Sequence, residues 1–216
     1  MRHRTSPTTP QAGRTMKTLA AVGLGLTLAL TATACGDGSD DSTSRSPTSH
    51  NAADVTFATD MIQHHAQALS MVDLTVDRTL DPQVEALAEA IREAQGPEIE
   101  TMSDWLTDWD EEIPETMRDH TNAGHDMGDM SDSMEGMNDS MPGMMSADDM
   151  DALQNASGAE FQDMWLEMMI QHHAGAIEMA RTEQKDGQYE PAVDLAGEIV
   201  IAQKAEIEEM KSLIGS

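Results

Sequence analysis

Shifted by 108 residues, the chain falls on itself: Met61-Ile62-Gln63-His64-His65-Ala66 lies on Met169-Ile170-Gln171-His172-His173-Ala174. The match continues without a gap through Leu87-Ala88 on Leu195-Ala196, Ile91 on Ile199, Ala94-Gln95 on Ala202-Gln203, Glu98-Ile99-Glu100 on Glu206-Ile207-Glu208, and Met102 on Met210. Seventeen of 46 paired positions are identical. An ungapped match of that length marks duplication of one structural unit, so the fold has to be built from two copies of it.

Each unit reads as a helical hairpin. In the first, Phe57, Met61, Ala68 and Met71 run beside Ile62, Leu69, Val72 and Val76 at spacings of three and four, which draws a broad apolar face on one helix. A turn is expected near Leu80, where Asp81 can cap and Pro82 can take the first helical position. Ala88, Ile91, Gln95, Glu98, Met102, Trp105 and Trp109 give the second helix, matched later by Ala196, Ile199, Gln203, Glu206, Met210 and Leu213. Gly96-Pro97 predicts a kink or a restarted helix in the first unit, where the second has Lys204-Ala205. The fold class is all-α. Two hairpins joined by a long link make a four-helix bundle the economical arrangement.

The polar residues fall on the faces that should be buried. His64 continues the stripe of Met61, Ala68 and Met71, and His65 that of Ile62, Leu69 and Val72, so both rings should point inward; His172 and His173 sit likewise. Antiparallel pairing about residue 80 brings the first pair level with Gln95 and Glu98, and a turn near Gln188 brings the second level with Gln203 and Glu206. Four histidines, two glutamates and two glutamines should therefore share one layer. Buried carboxylates require partners, and histidinium or a metal ion can serve. A metal-free polar layer that fixes helix register is the plainer reading; a metal site is the sharper one. Di-iron bundles use Glu-x-x-His, but here Met61, Ile62, Met169 and Ile170 stand three residues before the histidines. Imidazole with the thioethers of Met61 and Met169 suits copper, Cu(I) above all.

The link supplies more of the same donors. Nine of the 19 methionines lie between Ile113 and Met150, and Met127, Met130, Met134, Met137, Met141 and Met144 follow at intervals of three and four. Gly128, Gly136, Pro142 and Gly143 oppose a free helix there. The segment reads as a flexible acidic strand whose thioethers, with His120 and His125, can wrap a soft monovalent ion. Exposed thioethers can also consume oxidants by conversion to sulfoxide.

Charge removes other classes. With 12 Lys+Arg against 40 Asp+Glu the chain carries −28, and it has only six aromatic residues, so neither a phosphate backbone nor a stacked single strand finds a surface. No nucleic-acid partner and no nucleotide cofactor are expected. The single cysteine, Cys35, excludes an internal disulfide and a Cys-rich zinc site. Lys17 followed by an apolar run from Leu19 to Leu30 and by Ala32-Thr33-Ala34-Cys35 reads as a secretory signal ending in a lipobox, with Cys35 lipidated; Met16 is an alternative start, and a soluble secreted protein cut near Ala34 is the alternative fate. The expected organisation is a signal at 1–35, a disordered tether at 36–53, hairpins at 54–112 and 151–216, and the acidic Met/His-rich link at 113–150.

The pattern Phe57-x-x-x-Met61-Ile62-x-His64-His65-x-x-Ala68 with Gln95-x-x-Glu98-Ile99-x-x-Met102 recurs as Trp165-x-x-x-Met169-Ile170-x-His172-His173-x-x-Ala176 with Gln203-x-x-Glu206-Ile207-x-x-Met210. Over residues 54 to 215 this resembles the bacterial family known as domain of unknown function 305. The resemblance implies a ferritin-like four-helix bundle, export and, for some members, copper binding and resistance. The leading expectation is a lipid-anchored extracytoplasmic protein that sequesters copper or exchanges it with a delivery or acceptor protein. His64, His65, His172, His173, Met61 and Met169 would be ligands, with Glu98 and Glu206 as ligands or orienters of the rings. The alternatives are a ferritin-like metal-dependent oxidase, disfavoured by the missing Glu-x-x-His, and a metal-free acidic helical interaction module.

Overall fold

The computed structural model describes residues 45–116, 118 and 141–214. Among them the chain is all-α, with five helices and a single isolated bridge in place of strands: α1 (Ala52–Asp73), α2 (Pro82–Asp108), α3 (Ala147–Asn155), α4 (Gly158–Asp186) and α5 (Glu190–Leu213). Helices α1 and α2 form one hairpin and α4 and α5 the other; α1 packs on α4, and α2 on α5. Repeated sequence gives repeated boundaries: α2 begins at Pro82 and α5 at Glu190, 108 residues on.

Local chemistry explains the helix starts. Asn51 caps α1, accepting from the amides of Ala53 and Asp54, while the Asp54 carboxylate accepts from the Asn51 amide at 2.6 Å in a reciprocal capping box. Asp81 caps α2 through the Gln83 amide, with Pro82 in the first turn as expected. Tyr189 supplies no side-chain cap to α5, and the buried Asp54 of α1 does so instead, accepting from Gln188 and Tyr189 at 3.0 and 2.9 Å. That cap crosses between hairpins, and sequence spacing gives no sign of it.

Three expectations need correction. Of the kink or restart expected at Gly96-Pro97, the restart does not occur: helix α2 is one element through it, and the amide that Pro97 lacks is a local cost that the packed helix on either side absorbs. The tether does not run loose to residue 53. Ser46 exchanges backbone hydrogen bonds with Gln188 and Glu190 at 2.7 and 2.9 Å, and the Asn51 side chain donates to the Asp186 carbonyl, so residues from Arg45 onward are fastened to the α4–α5 turn. The link likewise ends before residue 150. Its last part, from Met141, is packed, and Ser146 with Asp149 forms the capping box that starts α3.

The core divides in two. One apolar cluster gathers Ala68, Met71 and Val72 of α1, Val84 to Ile91 of α2, Phe161 to Met169 of α4, and Met210 and Leu213 of α5. The other gathers Phe57 to Ile62 of α1, Met102 and Leu106 of α2, Ala176 to Ala180 of α4, and Ala192 to Val200 of α5. On all four long helices the residues left between the clusters are the polar ones: His64 and His65, Gln95 and Glu98, His172 and His173, Gln203 and Glu206. Each fully buried Leu, Ile, Met or Phe contributes roughly 1.5–3 kcal/mol. The two clusters thus hold the layer between them in fixed register.

Candidate metal centre

All four histidines are fully buried, at 0% exposure. His65 Nε2 donates to Glu98 Oε2 at 2.6 Å and His173 Nε2 donates to Glu206 Oε2 at 2.7 Å, the same bond in each repeat. Gly96-Pro97 leaves the first of these pairs undisturbed. Gln95 and Gln203 are buried beside them, and Gln95 finds no hydrogen-bond partner for either side-chain atom.

His64 and His172, the other repeat-related pair, face each other directly, with ring centroids 3.8 Å apart and planes tilted by 39°. Two imidazolium ions could not tolerate that approach. Burial first, then the neighbouring His65, pulls the His64 pKa down to about 3, against the opposing effect of its bond to the Pro142 carbonyl. Burial and the adjoining His64 and His173 hold His172 well below its ordinary value. Both rings are neutral at neutral pH.

The tautomers follow from the acceptors. A carbonyl oxygen can only accept, so the 3.0 Å bond from His64 Nε2 to Pro142 O places the ring proton on Nε2 and leaves the lone pair on Nδ1. Glu98 and Glu206 fix the Nε2 protons of His65 and His173 in the same way. In all four rings Nδ1 has no hydrogen-bond partner, and in His172 Nε2 has none either. Buried polar atoms without partners are costly and call for an explanation. In His64, His65 and His173 one nitrogen is anchored to oxygen while the other stays bare, the preparation of a metal ligand; in His172 both nitrogens are bare. The preparation stops short of a cage: among the described residues no three His, Asp or Glu side chains already form a metal-binding group.

Met61 and Met169, one turn before His65 and His173, are at 0% exposure, and both belong to the apolar clusters. Met141 is buried and Met144 half-buried. His120, His125, Met127, Met130, Met134, Met137 and Cys35 lie outside the described residues, as does the signal segment. No helix among the described residues is long and apolar enough to cross a membrane.

Sequence reasoning missed the residues that close the layer. The Gln67 side chain grips the backbone of Met145, donating to its carbonyl at 2.9 Å and accepting from its amide at 2.7 Å. Pro142 and Gly143 lie against Gly175 of α4 so closely that a Cβ on Gly175 would fall 1.9 Å from the Pro142 oxygen. A signal for this existed. From residue 61 to 68 the repeats differ at one position only, and that position is Gln67 in the first and Gly175 in the second.

The profile of the family described as Domain of unknown function (DUF305) matches residues 54–214, the span of both hairpins and the link. The chain belongs to the DUF305 family. A DUF305 fragment from Deinococcus radiodurans is similar in structure, at 27% identity and a TM-score of 0.63, over 76% of this chain and 97% of that one. A DUF305 protein from Streptomyces coelicolor, designated as secreted, follows at 30% and 0.61 over 74% and 91%. CopM in its Cu(II)-bound form matches at 26% and 0.57 over 74% and 93%; in its Cu(I)-bound form it matches at 25% and 0.56 over the same shares. No curated protein matches this DUF305 chain significantly.

Proposed function

We propose that this DUF305 protein is an extracytoplasmic copper-binding protein, anchored through lipidated Cys35, that sequesters copper or hands it to a partner protein. The hairpins form a ferritin-like four-helix bundle, and the ion is cargo held in the polar layer between its two apolar halves. The carrying observation is the His64–His172 pair: two fully buried, neutral imidazoles in ring contact, each with a bare Nδ1.

Two neutral imidazoles in ring contact favour a soft monovalent ion that accepts low coordination. His65 and His173 add imidazole donors from the same layer, and Met61 and Met169 supply thioethers. Glu98 and Glu206 act through the histidines, because each spends an oxygen on Nε2–H. The link, with Met127, Met130, Met134, Met137, Met141, Met144, His120 and His125, is a second site. A net charge of −28 draws cations toward the protein as a whole. Structural likeness to CopM, solved with Cu(II) and with Cu(I), supports the reading.

The metal-free reading has one observation in its favour: the two Glu–His bonds already satisfy the carboxylates without an ion. An anaerobic Cu(I) titration separates the two. Three proteins are compared: the full chain, its His64/His65/His172/His173→Ala variant, and a deletion of residues 124–140. Copper retained by the deletion and lost from the histidine variant supports the layer as a site. Copper lost only from the deletion assigns all binding to the link.

A further inference from the structure

The four histidine rings are fully buried, so an ion that reaches them needs something to move. Four of the elements around them are long helices whose faces make the two apolar clusters. The fifth is the short non-helical strap Met141–Met145; Met141 and Met145 are buried, Met145 within one of those clusters, and the rest of its hold is polar. His64 Nε2 donates to the Pro142 carbonyl, and Gln67 makes two bonds to the Met145 backbone. Gly143, at φ +79°, approaches α4 so closely that a Cβ there would lie 2.7 Å from the carbonyl oxygen of Gln171 and 3.0 Å from that of His172. The strap thus touches the backbone of one facing histidine and the ring of the other.

The seat is built from both repeats. Gln67 and Gly175 are equivalent positions, and each has become what the strap needs on its own side: an amide that can donate and accept, and a space with no side chain. Beside it a cleft of about 440 Å³ runs up to Pro142, with Asp60, Glu178 and Met179 in its walls. An arriving cation therefore meets carboxylates and a thioether next to the one non-helical cover among the described residues. A short segment without a helical hydrogen-bond ladder opens more readily than the packed helices around it.

We propose that the strap Met141–Met145 is the gate of the histidine layer, and that its release from Gln67 and Gly175 sets the rate at which a soft monovalent metal ion enters and leaves the His64–His172 pair. The inference rests on the reading of those histidines as ligands. A gate differs from a ligand in its signature. Weakening it speeds uptake and release by the same factor and leaves Kd alone, whereas removal of a ligand raises Kd.

The test uses the full chain and Cu(I) alone, under anaerobic conditions. Stopped-flow uptake, and transfer to a chromophoric Cu(I) chelator, are followed for the wild type, Gln67→Leu and Gly175→Ala. The kinetic phase belonging to the layer is the one absent from His64→Ala/His172→Ala. Amide hydrogen exchange at Met145 is measured in parallel without metal, so that strap release is read independently of copper. Gln67→Leu should remove the protection of the Met145 amide and accelerate both copper rates roughly tenfold or more, the effect of losing two hydrogen bonds, with Kd unchanged. Gly175→Ala should act in the same direction; should it fail to fold, Gln67→Leu decides alone. Lost protection with unchanged copper rates overturns the gate and leaves the copper site standing. A raised Kd at constant uptake rate also overturns it. Failure of the wild type to bind Cu(I) in the layer removes the site and the gate together.

Discussion

Acid should unfold the metal-free protein through His64, by an amount that the structure sets. The ring is fully buried and its pKa is lowered from 6.5 to about 3, chiefly by desolvation. In the unfolded chain the same ring titrates near 6.5. Between those values the unfolded state binds a proton that the native state refuses, so stability is complete above pH 6.5 and drains away as pH falls toward 3. At pH 4.5, two units below the unfolded pKa, the loss is about 3 kcal/mol at ~1.4 kcal/mol per unit. His172, depressed for the same reason, adds to it in the same direction. Urea denaturation at pH 7.0, 5.5 and 4.5 with a copper chelator present would measure it, and with m of roughly 1–3 kcal/mol per M the midpoint should drop by about 1 M or more. Other groups titrate over this range, so the informative quantity is the difference from His64→Phe, which keeps an aromatic ring and loses the proton site. That difference should change by about 3 kcal/mol in favour of the variant as pH goes from 7.0 to 4.5. Parallel curves for the two proteins would refute the claim that His64 is buried and neutral.

Further predictions rest on other bonds. Glu98→Gln and Glu206→Gln should each weaken copper binding by roughly 10–100-fold, to similar extents because the two bonds are equivalent, as read by chelator competition. A large effect from only one would show that the repeats have diverged in role. Glu183 is buried against Asp54 with its pKa pushed up to about 8, first by desolvation and then by that neighbour. Because its native pKa exceeds the unfolded 4.5, stability falls as pH rises between the two, and Glu183→Gln should gain on the wild type from pH 5 to 8 by up to roughly 1.4 kcal/mol per unit, measured by denaturant titration. Gly143→Ala puts a Cβ at positive φ against the Gln171 oxygen. It should cost about 2 kcal/mol, enough to lower Tm by roughly 4–8 °C in a calorimetric scan.

The helical hairpins were legible because duplication and three-four spacing are properties of the chain itself. The layer was legible for a related reason. Once the turn near residue 80 is placed, antiparallel pairing brings His65 level with Glu98, and the structure has them in contact. What could not be read depends on contacts between segments far apart in sequence. Asp54 capping the start of α5, Ser46 fastened to the α4–α5 turn, and Gln67 holding Met145 have no local periodicity. The restart expected at Pro97 failed for the opposite reason. The proline's local penalty is real, but Met102 and Leu106 beyond it are fully buried, and their packing carries α2 through.

X-ray absorption at the copper edge of the Cu(I)-loaded protein lacking residues 124–140 addresses the claim on which the rest depends. The account predicts a nitrogen-dominated shell with the outer-shell scattering of imidazole, lost when His64 and His172 are both replaced by alanine. A shell of sulfur alone, or one unaffected by that double replacement, would contradict it.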